Sequence, residues 1–268
     1  QAIEKLIAMS TVLGQNVAAP TEYSPDILEP IRRADGRARI NPEGLPALFG
    51  ADVWHLYELS WLNDEGCPQH YVGVLSIPCD AENTVESKSL KLYLNSLNFA
   101  RFASRDAALT CITGDIGAVA KAAVSLKLLE PTDVASITRE PEGKLIEAFE
   151  EVKSPSAVPD GDRARLLVVR SNVVHEKLVS HTLRSLCPVT GQPDWGTLIV
   201  QYTGPQIDEG SLLAYIQSYR EHQEFHEQCV ERIYNDLYRA AQPASLRVAA
   251  FYQRRGGIDI TPWRATED

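Results

Sequence analysis

The stretch ESKSLKLYLNS, residues 86–96, decides how this chain is read. Leu90, Leu94 and Leu97 fall on one side at helical spacing, so a helix is expected over 87–102. Its start is unusual. A carboxylate, Glu86, is followed by Ser87, Lys88 and Lys91, and lysine in a first helical turn opposes the helix dipole. The plain explanation is a cap with solvated lysines; the sharper one is that an anion, such as a cofactor phosphate, offsets the cost. The same stretch recurs downstream. SLKLYLNS at 89–96 lies over SLLAYIQS at 211–218, an offset of 122, with serine, leucine, tyrosine and serine matched. In that register Glu86 meets Asp208 and Lys88 meets Gly210, so the second copy keeps the helix and loses the lysines.

Around these two helices the pattern repeats. Strands are expected at 53–61 (with Val53, Tyr57, Leu59 and Trp61 on one face), 70–77 and 122–129, and a second helix at 105–120. A short helix is expected at 145–152. SPSAVPDGD, 154–162, reads as a linker. Beyond it lie strands at 165–170, 177–184 and 197–202, helices at 211–220 and 224–240, and a closing strand at 246–253. Residues 1–50, with five prolines after a short helix, read as an N-terminal arm. The division is therefore an arm at 1–50, a first module at 51–153, a linker at 154–163 and a second module at 164–268.

The 268 residues carry a net charge of −10 and a pI of about 5.2, which argues against a nucleic-acid-binding surface but allows a local basic pocket. Apolar runs fall far short of the roughly 20 residues that span a bilayer. No signal-peptide pattern opens the chain, and Gln1 in place of methionine reads as a trimmed or incomplete start. The five cysteines, 67, 79, 111, 187 and 229, include no CxxC, and the six histidines no paired metal spacing. Disulfides and a structural zinc are not expected, and a reducing cytoplasm is. Cys79, Cys111 and Cys229 lie in apolar patterns and read as core.

Four places could carry chemistry. In SLCPVTGQPDWG, 185–196, Cys187 sits between two expected strands with Asp194 seven residues on. A thiolate nucleophile with a nearby acid suits covalent catalysis, and a loop cysteine beside a turn aspartate is the plain alternative. Cys67, in roughly the same connection of the first module, has Val74 at that distance. In EFHEQ, 224–228, Glu227 could accept hydrogen bonds from paired N–H donors of a ligand and Phe225 could stack on a flat heterocycle. A simple helix start explains His226 and Glu227 as well. Glu86 with Lys88 and Lys91 forms the third place, and RRGG at 254–257, where arginines and glycines let a phosphate approach closely, the fourth. No GxGxxG follows a strand, so a Rossmann site is not supported.

Together ESKSLKLY (86–93), CPVTGQPDWG (187–196), FHE (225–227) and RRGGIDI (254–260) resemble the two-module form of the NADPH-dependent 7-cyano-7-deazaguanine reductases, the nitrile reductases of queuosine biosynthesis. The resemblance runs from about Thr21 to Trp263. It implies an α+β fold of tandem tunnelling-fold modules, with antiparallel sheets and helices packed on one face. It implies that Cys187 adds to the nitrile to give a thioimide and that Asp194 donates the proton. Thr84, Val85, Glu86, Phe225, His226 and Glu227 would bind 7-cyano-7-deazaguanine. Ser87, Lys88, Arg255 and Gly256 would hold NADPH. The two modules would supply complementary parts of a cytoplasmic homodimer without metal, and without direct contact to nucleic acid or membrane. Thr261 stands where the family pattern has asparagine before Pro262 and Trp263. Two rivals remain on the same fold: a zinc-dependent, cyclohydrolase-like purine or pterin hydrolase, and a non-catalytic base-binding protein.

Overall fold

The computed structural model describes residues 18–137, 141–147 and 162–267. In chain order the elements are β1 (Pro30–Arg32), α1 (Arg33–Ile40), β2 (Phe49–Leu62), β3 (Pro68–Pro78), β4 (Asn83–Val85), α2 (Ser87–Ser96), α3 (Arg105–Ala120), β5 (Ser125–Leu129), β6 (Lys144–Leu145), β7 (Val169–Leu186), β8 (Pro193–Ile207), α4 (Glu209–Gln217), α5 (His226–Ala241), β9 (Ser245–Tyr252) and β10 (Ile258–Ala265). The class is α+β: β1–β4, β3–β5, β7–β8, β8–β9 and β9–β10 pair antiparallel, and the short β6–β7 contact is parallel. The chain divides into two compact units. The first takes residues 1–35, 52–139 and 254–260; the second takes 36–51, 140–253 and 261–268. Segments 36–51 and 254–260 thus join units other than those their sequence neighbours suggest.

In the first unit the strand order is β5-β3-β2, and β4 pairs with β1. Leu90, Leu94 and Leu97 are all buried, as the helical spacing expects, and Ala108, Ile112 and Ile116 line the buried side of α3. On β2 the buried side chains are Asp52, Trp54 and Leu56, then Leu59 and Trp61. The buried face changes parity between Leu56 and Leu59, so Val53 and Tyr57 do not share a face with Leu59 and Trp61 in the simple alternation expected. Here Tyr57 donates its N–H to Gly257 O at 2.9 Å. In the second unit the order is β10-β9-β8-β7-β6, with Leu198, Val200, Leu212, Ile216, Ile233, Leu237 and Val248 in the core.

Several expectations are corrected. The strands placed at 165–170 and 177–184 are one long strand, β7, preceded by a 3-10 turn at Arg163–Leu166. Its hydrogen-bond register with β8 shifts twice, and those irregularities break the alternation that sequence reading depends on. β10 is an additional strand beyond 253, hidden by Pro262, which demotes a strand pattern. α1, β1 and β4 were absorbed into irregular sequence. At 145–152 the chain is strand at Lys144–Leu145 and not helix at Ile146–Glu147; the remainder of that segment, the helix expected before residue 18 and most of the linker lie outside the described residues.

The internal repeat extends to individual hydrogen bonds. Glu86 N–H donates to Glu29 O, and Asp208 N–H to Val168 O, each at 2.9 Å. Ser89 Oγ and Ser211 Oγ each donate to the carbonyl of their cap residue at 2.7 Å. Tyr93 OH donates to Asp115 and Tyr215 OH to Asp236, from equivalent helices. Even the ends agree: α3 closes on Lys121 and α5 on Gln242, the two described non-glycine residues in the left-handed region, at φ of 54° and 43°. The two units are variations on one construction.

The second unit is gathered from three chain segments, and one carboxylate joins all three. Glu231 on α5 accepts from Arg37 at 2.7 and 3.0 Å, and from Arg264 at 2.9 and 3.0 Å. Arg264 is fully buried. Removing the carboxylate leaves a buried guanidinium without its counter-charge. Glu231→Gln is expected to cost about 3–5 kcal/mol in urea unfolding. Lys121→Ala, at the exposed Lys121–Glu82 pair, should cost less than about 1 kcal/mol. Equal losses in the two variants would show that the triad does not join these segments.

Candidate active site

The first unit carries the ESKS motif. Thr84 and Val85 are buried on β4, paired with Ile31 and Pro30, and the chain then turns directly into α2. Glu86 is the N-cap of that helix. Its carboxylate accepts from Lys88 N at 2.9 Å and Ser89 N at 2.7 Å. Burial pushes its carboxyl above the ordinary range, against the pull of those two donors. Glu86 is a cap, and it is a buried carboxylate with remaining acceptor capacity, since each oxygen offers two lone pairs. Ser87 and Lys88 are half-buried in the first turn.

The RRGG turn lies in the same unit. Gly256 and Gly257 adopt φ of 53° and 90°, a conformation that favours glycine. A Cβ at Gly256 would overlap Lys91 Nζ, so the turn presses its bare backbone against the second lysine of the motif. Arg254 pairs with Glu58 at 3.1 Å and lies over the Tyr57 ring. Arg255 is exposed. The turn is anchored from below. Asp259 contacts His55 Nδ1 at 2.6 Å and accepts from Tyr57 OH at 2.6 Å. Ser87, Lys88, Lys91, Arg255 and Gly256 therefore belong to one unit, with a cationic cradle at Lys91 and Gly256. Lys91 was visible in the sequence as a cation in the wrong place for a helix dipole. Asp259, His55 and Tyr57 carried no such signal.

The second unit carries the cysteine. Cys187 opens the turn of the β7–β8 hairpin, where its N–H donates to Gln192 O and its carbonyl accepts from Gly191 N. Gly191 sits at φ 66°. Asp194 is not a turn residue but lies on β8 opposite Ser185, at the end of the hairpin that Cys187 closes. Its side chain is buried, and Oδ1 lies 3.2 Å from His226 Nε2. His226 and Glu227 form the first turn of α5 behind the N-cap Phe225, and the His226 ring rests on Tyr252 at 4.2 Å. Glu227 is buried. The positive end of the α5 dipole favours negative charge at Glu227, in its first turn. Cys187, Asp194, Phe225, His226 and Glu227 thus share one unit, which holds a half-buried thiol, a buried acid and a half-buried aromatic ring.

Beneath α5 lies a second buried cluster. His222 Nε2, Glu224 and Cys229 bring possible ligand atoms within 4.8 Å of one another. The donor set does not suit a metal. Both Glu224 oxygens already accept from Arg232, at 2.7 and 2.9 Å, and burial holds the Cys229 thiol protonated. The cluster is a charge-balanced network whose cation is a guanidinium.

Two expectations about cysteines change. Cys111 is half-buried, with its sulfur 3.1 Å from Tyr23 OH, rather than core. Cys67 is exposed and is not the counterpart of Cys187. Leu62 and Leu186 make equivalent parallel bridges, to Arg101 and Gln223, so the residue that follows each, Asn63 and Cys187, is the matched pair.

Two family models match the chain. One described as "Nitrile reductase, 7-cyano-7-deazaguanine-reductase N-term" matches residues 19–128, and one described as "QueF-like protein" matches residues 193–268. Curated proteins named NADPH-dependent 7-cyano-7-deazaguanine reductase are similar along nearly their whole length. That of Stenotrophomonas maltophilia is 45% identical over 255 residues, covering 95% of this chain and 92% of the relative. Those of Acinetobacter baylyi and Hahella chejuensis are 44% and 45% identical over 261 residues, covering 96% and 95% of this chain and 93% of each relative. A shorter solved chain, the apo archaeosine synthase QueF-Like, aligns with a TM-score of 0.32 at 18% identity, over 36% of this chain and 94% of its own. With matches of that extent, and with the ESKS cap and the Cys187–Asp194 hairpin in place, this chain belongs to the NADPH-dependent 7-cyano-7-deazaguanine reductase family of nitrile reductases.

Proposed function

We propose that this chain reduces the nitrile of 7-cyano-7-deazaguanine to the aminomethyl group of 7-aminomethyl-7-deazaguanine, consuming two NADPH, as a step toward queuosine. The observation that carries the reading is the hairpin end that holds a turn cysteine, Cys187, and a buried strand carboxyl, Asp194, in contact with His226. A nitrile is a poor hydride acceptor until a nucleophile converts it to an imine-like adduct. The Cys187 sulfur forms a bond to the nitrile carbon, one C–N π bond breaks, and Asp194 delivers a proton to the nitrogen. The product is a thioimide.

Ser87, Lys88, Arg255 and Gly256 would hold NADPH, which would supply one hydride for the thioimide carbon and, from a second molecule, one for the imine that follows. Between the two, the C–S bond breaks and the cysteine sulfur is released as the leaving group. Two protons and two hydrides balance the change from nitrile to amine. Asp194 and His226 hold the proton donor at the reacting nitrogen. Glu86 and Glu227 accept hydrogen bonds from the base's N–H groups, Phe225 lies against its face, and Thr84 and Val85 line its pocket. Lys91, which touches the Gly256 turn, adds a cation where a phosphate would sit.

The reading includes a cytoplasmic homodimer acting on a small molecule. The charge of −10 supports action without nucleic-acid contact. No described helix is long and apolar enough to cross a membrane. The zinc-dependent alternative has less support, because the buried His222–Glu224–Cys229 group is already neutralised by Arg232.

Incubation with 7-cyano-7-deazaguanine alone should raise the intact mass by one substrate. Adding NADPH should then consume two equivalents per nitrile by absorbance. Cys187→Ala should lose the mass increase and turnover while still binding the base, and full turnover by that variant would refute the covalent route. Gly256→Ala should raise KM for NADPH about tenfold, roughly 1.4 kcal/mol, because a methyl group strains the left-handed turn and pushes the Lys91 ammonium out of its place. Its adduct formation without NADPH should be unchanged, and a loss of adduct instead would move Gly256 out of the cofactor site.

A further inference from the structure

Leu186, the residue before Cys187, is gripped on both sides by one segment. Its N–H donates to His222 O at 2.7 Å, and its carbonyl accepts from Glu224 N at 3.3 Å. The first unit makes the same backbone grip: Leu62 N–H donates to Ala100 O at 2.9 Å, and Leu62 O accepts from Phe102 N at 3.0 Å. The grip is part of the repeated construction. The side chains behind it are not. Where the first unit has Ala100 and Phe102, the second has His222 and Glu224, and where α3 has Cys111, α5 has Arg232.

Those replacements form a closed network. Glu224 accepts from His222 Nε2 at 2.9 Å and from both Arg232 Nε and a terminal guanidinium nitrogen. His222 and Glu224 are 4% and 5% exposed. Burial raises the Glu224 carboxyl, but the His222 and Arg232 hydrogen bonds and the guanidinium charge outweigh it and hold it near about 2. Burying such a pair is expensive, and apolar replacements are often as stable. The first unit makes the same grip with Phe102, so the grip does not need the charges. They appear in the unit that holds the nucleophile. They also sit at the root of the segment that continues into Phe225, His226 and Glu227.

We propose that the Glu224–Arg232 pair is a positioning element, fixing Leu186 and the 225–227 segment so that the Cys187 sulfur meets the nitrile at bonding geometry. The inference rests on the covalent reading of Cys187. Misplacement by about 1 Å costs on the order of 100-fold in rate, so loss of the pair should slow addition while leaving the thiol as reactive as before.

The test compares two reactions of Cys187 in the full chain, each followed by mass spectrometry of the Cys187 peptide. One is addition to 7-cyano-7-deazaguanine, which needs a positioned sulfur; the other is alkylation by iodoacetamide, which does not. Glu224→Gln should slow nitrile addition about 10–100-fold with alkylation unchanged. Should that variant fail to fold for lack of a partner to Arg232, Glu224→Gln/Arg232→Met removes both charges and should give the same separation. Nitrile addition at the wild-type rate in a folded variant, or an equal loss of both reactions, would overturn the proposal. A measurement on the unaltered chain stands beside it: the amides of Leu186 and Glu224 should exchange with deuterium more slowly than those of Leu62 and Phe102, and equal rates would also overturn it. Failure of the unaltered chain to form any adduct would fault the covalent reading of Cys187, and the exchange comparison would still decide whether the pair stiffens the segment.

Discussion

Glu231 is the constraint on which the second unit depends. Three stretches of chain far apart in sequence have to meet there, and each brings charge or backbone that cannot be left bare. Arg264 has no access to solvent, and Arg37 is half-buried. A single carboxylate on α5 serves both, which fixes α1 and β10 against the helix that also begins with His226 and Glu227. Fold and site are therefore set by one element: its middle ties the unit together and its first turn presents the reactive groups. The network of His222, Glu224 and Arg232 continues the same logic one turn earlier, where charge is spent on geometry rather than on holding segments together.

The two units show how a duplicated construction specialises. The cap, the serine behind it and the tyrosine–aspartate bond survive in both. What changed are residues that the construction leaves free to vary. At α2 the first unit puts Ser87 and Lys88, where α4 has Glu209 and Gly210. Asp208, the counterpart of Glu86, is drawn to Arg170, and Glu209, at the position of Ser87, to Lys144, so in the second unit this helix start pairs with the chain's own cations. At the hairpin turn the roles reverse, with cysteine in the second unit and Asn63 in the first. Asn63 spends its side chain on the N–H groups of Glu65 and Cys67, closing its own turn.

Much of this was legible in the residues, and what was not has physical causes. The helices were readable because leucines at helical spacing bury together, as at Leu90, Leu94 and Leu97. The repeat was readable because serine and tyrosine do the same hydrogen-bonding work twice. Glu86, Cys187 and Asp194 stood out as residue types whose chemistry exceeds what their local structure requires. β10 was hidden by Pro262, and β7 was split in two because its register shifts break the alternation. The pairing of Cys67 with Cys187 failed because hairpin loops differ in length, and only the bridges at Leu62 and Leu186 set the true correspondence. Arg232 and Asp259 could not be found from sequence. Their partners are fixed by the fold, and nothing nearby in the chain announces them.

The interleaving of segments also bears on how the protein is made. A chain emerging from the ribosome delivers its amino-terminal half first, and domains usually fold in that order. Here the first unit still lacks residues 254–260 when α3 and β5 are complete, and the second still lacks 261–268 when β9 is complete. Neither can finish alone ahead of the other. Glu231 waits for Arg264, and Tyr57 and His55 wait for Asp259, so the last stretch of β10 closes both units within a few residues of each other. Both units therefore close only once β10 has been made, and the side chains it pairs with stay uncovered until then.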